Sequence, residues 1–157
     1  MSAEILDLLP QLDFFSAYPK KSLEIISKYL TRSTMNKNAV IFSEGDAGNF
    51  MLFIVDGQVA VYKNSENGAK PLLTYASKGL AVGEMALIEG SARSATCIAE
   101  RRCDILVMTD EAFQALASDD PTVAFQFAMA LATLISRRLR HASGELADFV
   151  IAAHMSH

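Results

Sequence analysis

The stretch FMLFIVDGQVAVYK, residues 50–63, is the part of the sequence that decides the fold class. Residues 50–55 form a continuous apolar run rich in aromatic and β-branched side chains, as is typical of buried strands. A second strand-like run, residues 58–63, follows directly after Asp56-Gly57. Two such runs joined by Asp-Gly predict a two-residue β-hairpin, because a type I′ turn needs positive φ at both central residues.

Further turn and strand signals lie on both sides of this stretch. Residues 44–46, Glu-Gly-Asp, are predicted to form a turn rather than to bind a ligand. Asn67-Gly68 predicts another turn, which leads into the strand-like segment PLLTYA, residues 71–76. The segment CDILVMT, residues 103–109, has the composition of a further strand. Short strands with glycine-bearing turns predict a closed β-barrel or a jelly roll over about residues 33–108.

Helical patterns flank the strand-rich region on both sides, so residues 1–31 and 109–157 are expected to be helical. In the C-terminal region, Thr109 or Asp110 fits the N-cap of a first helix. Asp120-Pro121 then opens a second, long helix, with Asp as the N-cap and Pro at the first helical position. A chain of 157 residues with this organisation is expected to form a single domain.

The long last helix carries two apolar stripes. One is a coiled-coil seam of apolar residues that alternate at spacings of three and four: Phe125, Ala128, Ala132, Ile135, Leu139, Ala142, Leu146, Phe149 and Ala153. The other stripe, Phe127, Leu131 and Leu134, is available to pack on the body of the protein. A helix with two apolar faces needs two partners, so we predict a homodimer through this helix. The alternative is that the seam packs on its own barrel.

Composition limits the classes of function. The formal net charge of −4 and the pI of about 5.3 argue against a protein that coats nucleic acid. No uncharged apolar run is long enough for a transmembrane helix, and the acidic N-terminal segment is unlike a signal peptide. Cys97 and Cys103 have a spacing that fits neither a disulfide framework nor a metal site. We therefore expect reduced cysteines and a cytoplasmic location.

A carboxylate and a guanidinium lie nine residues apart in the stretch VGEMALIEGSARSAT, residues 82–96. Gly83 and Glu84 precede a segment long enough for one or two helical turns, whose first N–H groups can bind an anion. Arg93 can add a bidentate contact to a phosphate, and an ionised Glu84 can accept hydrogen bonds from hydroxyls. These residues fit a ribose phosphate, and the alternative is a local Glu84–Arg93 salt bridge in a surface loop.

The segment GEMALIEGSARSAT, residues 83–96, resembles the phosphate-binding cassette of cyclic nucleotide-binding domains. Residues 41–62, IFSEGDAGNFMLFIVDGQVAVY, are similar to the family pattern of strand, Glu-Gly-Asp, strand and Gly. The flanking helices, including RRLRHAS at residues 137–143, resemble the branch of the bacterial catabolite activator protein. The resemblance implies an α+β fold with an eight-stranded antiparallel β-barrel or jelly roll, N-terminal helices and a long C-terminal dimerisation helix.

The resemblance also implies a ligand site, which comprises Gly83, Glu84, Met85, Ala86, Arg93, Ser94, Ala95 and Ser143. In that family Glu84 would accept from the ribose 2′-hydroxyl, Arg93 would pair with the cyclic phosphate, and Ser94 would complete the phosphate site. Ser143 falls where the activator branch contacts the adenine, although Ala142 stands where a hydroxyl residue often precedes it. The expected ligand is cAMP. The alternative is cGMP, because a hydroxyl at position 94 can reach the guanine 2-amino group.

The leading functional hypothesis is a non-catalytic sensor in which cAMP binding changes the packing of the long helix. An enzyme is disfavoured, because no histidine precedes His141, so the strand region lacks both a metal-binding set and an activated nucleophile. A dimerisation module with an empty pocket is disfavoured by the presence of Glu84 and Arg93. After the long helix only VIAAHMSH, residues 150–157, remains, too short for a helix-turn-helix. We expect no direct DNA binding and an output partner or domain that the sequence does not identify.

Overall fold

The chain begins with short helices, forms eight strands and returns to helix. The computed structural model describes residues 2–69 and 71–155. The N-terminal helical elements are α1 (Ser2–Leu8), two 3₁₀ helices (Leu9–Gln11 and Asp13–Phe15) and α2 (Lys20–Ile26). The strands are β1 (Thr31–Met35), β2 (Val40–Phe42), β3 (Phe50–Asp56), β4 (Gln58–Tyr62), β5 (Leu72–Ser77), β6 (Ala81–Val82), β7 (Thr96–Ala99) and β8 (Cys103–Thr109). The remaining helices are α3 (Glu84–Glu89), α4 (Asp110–Asp119) and α5 (Pro121–Met155).

The eight strands form two four-stranded antiparallel sheets. One sheet has the strand order β1-β8-β3-β6, and the other has the order β2-β7-β4-β5. The predicted α+β jelly roll is confirmed, but the prediction of a closed barrel is wrong, because no described strand of one sheet pairs with a strand of the other. The edge strands β6 and β2 have two and three residues, so they are too short to continue a hydrogen-bonded ladder between the sheets.

The junction at Asp56-Gly57 also differs from its prediction. Strands β3 and β4 belong to different sheets, so the chain crosses between layers at Gly57 instead of turning in a two-residue hairpin. Gly57 has a φ of 117°, and a β-carbon there would lie 2.6 Å from Cys103 Sγ, so glycine permits this close approach. Residues 51–55 of β3 are all buried, which is the pattern of a central strand with covered faces rather than of one arm of a hairpin.

The turn predicted at Asn67-Gly68 is confirmed. Strand β4 pairs antiparallel with β5 across this loop. Gly68 has a φ of 79°, and its amide donates to the Ser65 carbonyl at 3.1 Å. In the strand order of the second sheet, β5 is an edge strand.

Two apolar clusters fill the space on the two sides of β3. Because side chains alternate along a strand, Met51 and Phe53 join the cluster that packs against the helices, whereas Leu52 and Ile54 join the cluster between the sheets. The helix-side cluster contains a group of aromatic rings with centroids 4.9 to 6.5 Å apart: Phe14, Phe15, Phe53 and Phe127. These rings join the N-terminal helices and α5 to one sheet.

Both C-terminal helices begin where the sequence predicts. Thr109 is the N-cap of α4, and its hydroxyl accepts from the Ala112 amide at 3.0 Å. The Asp120 carboxylate accepts from the Val123 amide at 3.1 Å, and Pro121 is the first residue of α5. These side-chain contacts satisfy amides that have no partner within the first turn of a helix.

Helix α5 packs on the body of the protein through its first part. Val123, Ala124, Phe127 and Leu131 are buried in the helix-side cluster, and Leu134 is partly buried against it. The predicted body-facing stripe is therefore confirmed. Beyond Leu134 the helix leaves this cluster.

The seam face of α5 is uncovered in the single chain. Phe125, Leu139 and Leu146 are exposed, Leu139 by 65%, and Ile135 is half-buried. The side chain of Phe149 lies outside the described residues. The alternative in which the seam packs on its own barrel is therefore wrong, and the seam remains available for a second copy.

Candidate functional site

A cavity of about 930 Å³ opens between the α3 segment, β5 and α5. Its first wall, here called the cassette wall, contains every residue of the predicted cassette site: Gly83, Glu84, Met85, Ala86, Arg93, Ser94 and Ala95. The opposing α5 wall consists of Leu134, Arg137, Arg138, His141 and Glu145. Residues 73–76 of β5 add a further side. A cavity of this size, with a few convergent polar groups, suits a small-molecule ligand.

Two glycines with positive φ shape the cassette wall. Gly83 precedes α3 with a φ of 85°, and Gly90 ends this helix with a φ of 64°. A β-carbon at Gly83 would lie 2.6 Å from Arg93 Nη1, so a larger residue would displace the guanidinium. Within α3, Glu84 and Ala86 are buried, whereas Met85 is exposed at the cavity.

Arg93 is buried, with only 3% of its surface exposed. Its Nη1 donates to the Gly83 carbonyl at 3.2 Å, and its Nη2 donates to the Phe50 carbonyl at 2.6 Å. The guanidinium carbon lies 4.0 Å from the centre of the Phe42 ring and 4.5 Å from that of the Phe50 ring. The Arg93 Nε is buried with no hydrogen-bond partner, and desolvation lowers the pKa of the guanidinium.

A buried charge in a folded protein is normally paired with an opposite charge. Among the described residues, no carboxylate forms an ion pair with Arg93. The carbonyls and rings thus fix the position of the guanidinium but do not neutralise it. This arrangement is favourable for an external anion, and it contradicts the alternative of a local Glu84–Arg93 salt bridge.

Glu84 is buried as well, with 7% of its surface exposed, and it pairs with α5 instead. Its Oε1 accepts from Arg138 Nη1 at 2.5 Å. The Nη2 of Arg138 donates to the Ala81 carbonyl, also at 2.5 Å. One side chain of the α5 wall therefore joins the helix to the cassette wall.

The structure brings the predicted cassette residues together but leaves Ser143 apart. Ser94 is exposed and Ala95 is half-buried at the cavity. Ser143 is exposed on α5 and is not one of the residues that line the cavity. It follows Leu139 by four residues, so it lies on the seam face of the helix.

Sequence reasoning missed the polar residues of the α5 wall. Leu134, the last member of the body-facing stripe, is followed on the same helix face by Arg138, His141 and Glu145, at spacings of four, three and four. That periodicity is visible in the sequence as a continuation of the stripe. The sequence does not show that the stripe leaves the core at Leu134 and passes over a cavity.

A second polar pair borders the cavity farther along α5. His141 Nε2 lies 2.9 Å from Glu145 Oε1, and both side chains line the cavity while remaining largely exposed. A carboxylate accepts hydrogen bonds, and an imidazole can donate and accept. This end of the cavity can therefore distinguish ligands by their donor groups.

The cysteines and the other potential metal ligands of the described residues do not form a metal site. Cys97 and Cys103 are free and buried, and burial raises the pKa of the Cys97 thiol to about 12, so it is a poor nucleophile. Within residues 2–69 and 71–155, no group of three or more His, Cys, Asp or Glu side chains could hold a metal ion. No described helix combines the length and the apolar character needed to cross a membrane.

Residues 32–120 match the family described as the cyclic nucleotide-binding domain. The matched segment is more than half of the 157 residues and includes the whole cassette wall. The chain belongs to this family. The matched segment ends before α5. Ser143 and the α5 wall therefore lie outside the matched segment.

Two curated relatives extend the similarity into α5. The cyclic AMP receptor protein of Thermus thermophilus is 29% identical over 132 residues, which are 84% of this chain and 59% of the relative. A CRP-like cAMP-activated global transcriptional regulator of Mycobacterium tuberculosis is 26% identical over 146 residues, which are 92% of this chain and 62% of the relative. The chain thus spans about three fifths of the length of these relatives.

Solved structures share the same architecture. A cyclic nucleotide-binding domain from Methylobacillus flagellatus superposes with a TM-score of 0.81 at 25% identity, covering 93% of this chain and 82% of that one. The catabolite activator protein of Thermus thermophilus gives a TM-score of 0.75 at 28% identity, covering 85% and 61%. The two sheets and their helices therefore have the arrangement of this family.

Proposed function

We propose that this chain is a non-catalytic cyclic nucleotide sensor that binds cAMP in the cavity and signals through α5. The observation that carries the proposal is the buried guanidinium of Arg93, which lines the cavity and has no carboxylate partner among the described residues. A cyclic phosphate would supply the negative charge that Arg93 lacks, in a charge-assisted contact. The two curated relatives are named for cAMP, which supports this ligand.

The proposed pose places the phosphate against Arg93 and the main chain of residues 83–86. The Ser94 hydroxyl completes the phosphate site, and the small side chain of Ala95 leaves the main chain accessible. The ribose 2′-hydroxyl donates to Glu84, because an ionised carboxylate only accepts hydrogen bonds. One anion-binding group and one hydroxyl-binding group in the same wall match the two polar ends of a ribose phosphate.

The proposed signal passes through Arg138. This side chain now binds Glu84, the group that the ribose hydroxyl needs. A bound nucleotide would compete with or rearrange that contact and so change how α5 lies against the cassette wall. Because a ligand shifts a two-state equilibrium only through different contacts in the two states, Glu84 is the coupling point of this proposal.

We propose a second copy of the chain as the partner of α5. The exposed seam residues Phe125, Leu139 and Leu146 lie on one face of a helix of 35 residues. Ser143 lies on that same face, so a role at the base would require it to reach the cavity of the partner copy. A single soluble chain rarely exposes an apolar stripe of this size. A coiled-coil interface with a second copy would bury it.

The proposal also includes a cytoplasmic location, no direct DNA binding and no catalysis. The free, buried cysteines Cys97 and Cys103 support a reducing compartment. Arg137 and Arg138 make up most of the basic cluster at residues 137–140, and they line the cavity instead of forming a separate basic face. We place the output in a separate partner or domain.

The second candidate ligand is cGMP, and Glu145 is the observation that favours it. Guanine presents N1–H and its 2-amino group as neighbouring donors, which one carboxylate can accept together, whereas adenine presents only its 6-amino group on that edge. The hydroxyl of Ser94 offers a further partner for the guanine 2-amino group. We keep cAMP as the proposed ligand, with a modest preference of about tenfold, because a single hydrogen bond contributes little.

Isothermal titration calorimetry with cAMP and cGMP tests the proposal. We expect one cAMP per chain and weaker binding of cGMP. Glu145→Gln should weaken cGMP binding more than cAMP binding, and Glu111→Gln, an exposed acid of α4 outside the cavity, should change neither. Absence of binding by both nucleotides would contradict the sensor function. Tighter binding of cGMP that Glu145→Gln removes would make cGMP the ligand.

A further inference from the structure

A lysine directly after β4 contacts the cassette wall away from the cavity. Lys63 Nζ donates to the Ser94 carbonyl at 2.7 Å and lies 3.0 Å from Glu44 Oε1. Glu44 Oε2 accepts from the Asn64 amide at 2.7 Å, and the Glu44 amide donates to Thr96 Oγ1 at 2.9 Å. The ion pair is thus connected to β4 on one side and to the segment that ends the cassette wall on the other.

The turn at residues 44–46 holds the neighbouring main chain of the cassette wall. The Gly45 amide donates to the Arg93 carbonyl at 2.9 Å, and the Arg93 amide donates to the Asp46 carbonyl at 2.8 Å. The predicted turn is confirmed, since Gly45 has a φ of 89° and the Asp46 carboxylate accepts from the Ser43 amide at 2.9 Å. The turn that contains Glu44 therefore holds the main chain of Arg93 through two hydrogen bonds.

A second exposed ion pair provides a comparison. The exposed fractions of the Lys63 and Glu44 side chains are 48% and 20%, and those of Arg32 and Asp104 are 44% and 23%. Such pairs contribute little to overall stability, because solvent screens them. Lys63 differs from Arg32 in that its ammonium also binds a main-chain carbonyl of the cassette wall. The Asn64 amide and then Lys63 lower the pKa of Glu44, which keeps this carboxylate ionised.

We propose that Lys63 and Glu44 are positioning residues of the nucleotide site, which fix the main chain of Ser94 directly and that of Arg93 through the turn. Neither side chain lines the cavity, so neither touches the ligand in this proposal. Without Lys63, the loop of residues 91–95 is less ordered in the free protein. A ligand must then order the loop as it binds, which weakens the affinity. This inference rests on the proposed function.

Calorimetric titration with cAMP and with cGMP compares four proteins: wild type, Lys63→Gln, Lys63→Arg and the matched control Arg32→Gln. We expect Lys63→Gln to weaken binding of the preferred nucleotide about three- to tenfold, the range of one ordinary hydrogen bond, because solvent screens this half-exposed charge. Arg32→Gln should bind like wild type, and Lys63→Arg, which keeps the charge, should recover most of the affinity. The thermal midpoints of the two Gln variants should agree within about 3 °C, because both remove one exposed pair. Wild-type affinity in Lys63→Gln overturns the proposal, and so does an equal loss in Arg32→Gln.

Amide hydrogen exchange on the free protein supplies a readout that needs no ligand. The Gly45 and Arg93 amides should exchange faster in Lys63→Gln than in wild type, and at the wild-type rate in Arg32→Gln. Unchanged exchange in Lys63→Gln overturns the proposal even if no nucleotide binds. Faster exchange in a protein that binds neither nucleotide supports the positioning contact and contradicts only the proposed function.

Discussion

The cassette wall and the α5 wall face the same cavity, but they are held in different ways. In the cassette wall, Arg93 is fixed by two main-chain carbonyls and two aromatic rings. In the α5 wall, the side chain of Arg138 is 40% exposed and reaches across to Glu84 and Ala81. Beyond Leu134, α5 no longer packs in the helix-side cluster. One wall is therefore fixed to the body of the protein, and the other can move with little disturbance of the core.

This difference assigns separate roles to the two walls in a sensor. The fixed wall binds the ligand, because its polar groups keep their positions without one. The less constrained wall responds, because a small change in its contacts can shift its position. Substitutions in the cassette wall should therefore have the larger effects on affinity, whereas substitutions on α5 should change assembly or coupling and have only small effects on affinity.

The largest effect is expected from Leu139→Glu on the seam of α5. In the proposed dimer it places two like charges in an apolar interface, at a cost of about 3–5 kcal/mol. Sedimentation velocity should show a dimer for wild type and a monomer for the variant. Thr133→Glu, which adds the same charge on an exposed position outside both apolar stripes, should remain dimeric. A wild-type chain that sediments as a monomer would contradict the proposed dimer.

Arg93→Ala should give the next largest effect, on affinity. Losing the charge-assisted contact to the phosphate should cost about 2–5 kcal/mol of cAMP binding, measured by calorimetry. Arg93→Lys keeps the charge but loses the planar fork, so it should fall between wild type and Arg93→Ala. Circular dichroism should show a folded protein in each case. Tight binding by a folded Arg93→Ala protein is incompatible with the phosphate assignment.

Glu84→Gln should have a smaller effect, because an amide oxygen still accepts a hydrogen bond from the 2′-hydroxyl. We expect a loss of about 0.5–1.5 kcal/mol in cAMP binding, and a similar loss when wild type binds 2′-deoxy-cAMP. If Glu84 contacts this hydroxyl, the substitution weakens and the deoxy ligand removes the same interaction, so their effects should not fully add. Full additivity would place the hydroxyl elsewhere.

The smallest effect is expected from Arg138→Gln in the α5 wall. Removing the side chain that occupies Glu84 in the free protein should tighten cAMP binding by about 0.5–1 kcal/mol, since the partly exposed pair is screened by solvent. Arg140→Gln, an exposed position on the same helix that does not line the cavity, is the matched control. Weaker binding in Arg138→Gln alone would mean that Arg138 helps to hold the ligand.

The cassette wall was predictable because its chemistry is local in sequence. Glu84 and Arg93 lie within one short motif, and Gly83 and Gly90 mark the ends of the helix between them. Both glycines have positive φ, which glycine adopts without the steric cost that a β-carbon would add. The periodicity of α5 likewise predicted a stripe toward the body, and Phe127 packs as expected.

The remaining features depend on contacts between distant segments. Asp56-Gly57 has the composition of a hairpin turn, but burial of β3 on both faces makes the chain cross between sheets there. The Phe42 ring, from β2, reaches Arg93 only after the sheets have packed. Arg138 and Ser143 lie five residues apart on one helix, and only the orientation of α5 shows that the first faces the cavity. No local pattern specifies that orientation.

A crystal structure of the chain with cAMP tests the proposed site most directly. We predict a phosphate oxygen within hydrogen-bond distance of the Arg93 guanidinium and the ribose 2′-hydroxyl bonded to the Glu84 carboxylate. The nucleotide should lie between the cassette wall and the α5 wall. A nucleotide bound outside this cavity, or inside it with the phosphate away from Arg93, would contradict the proposed site.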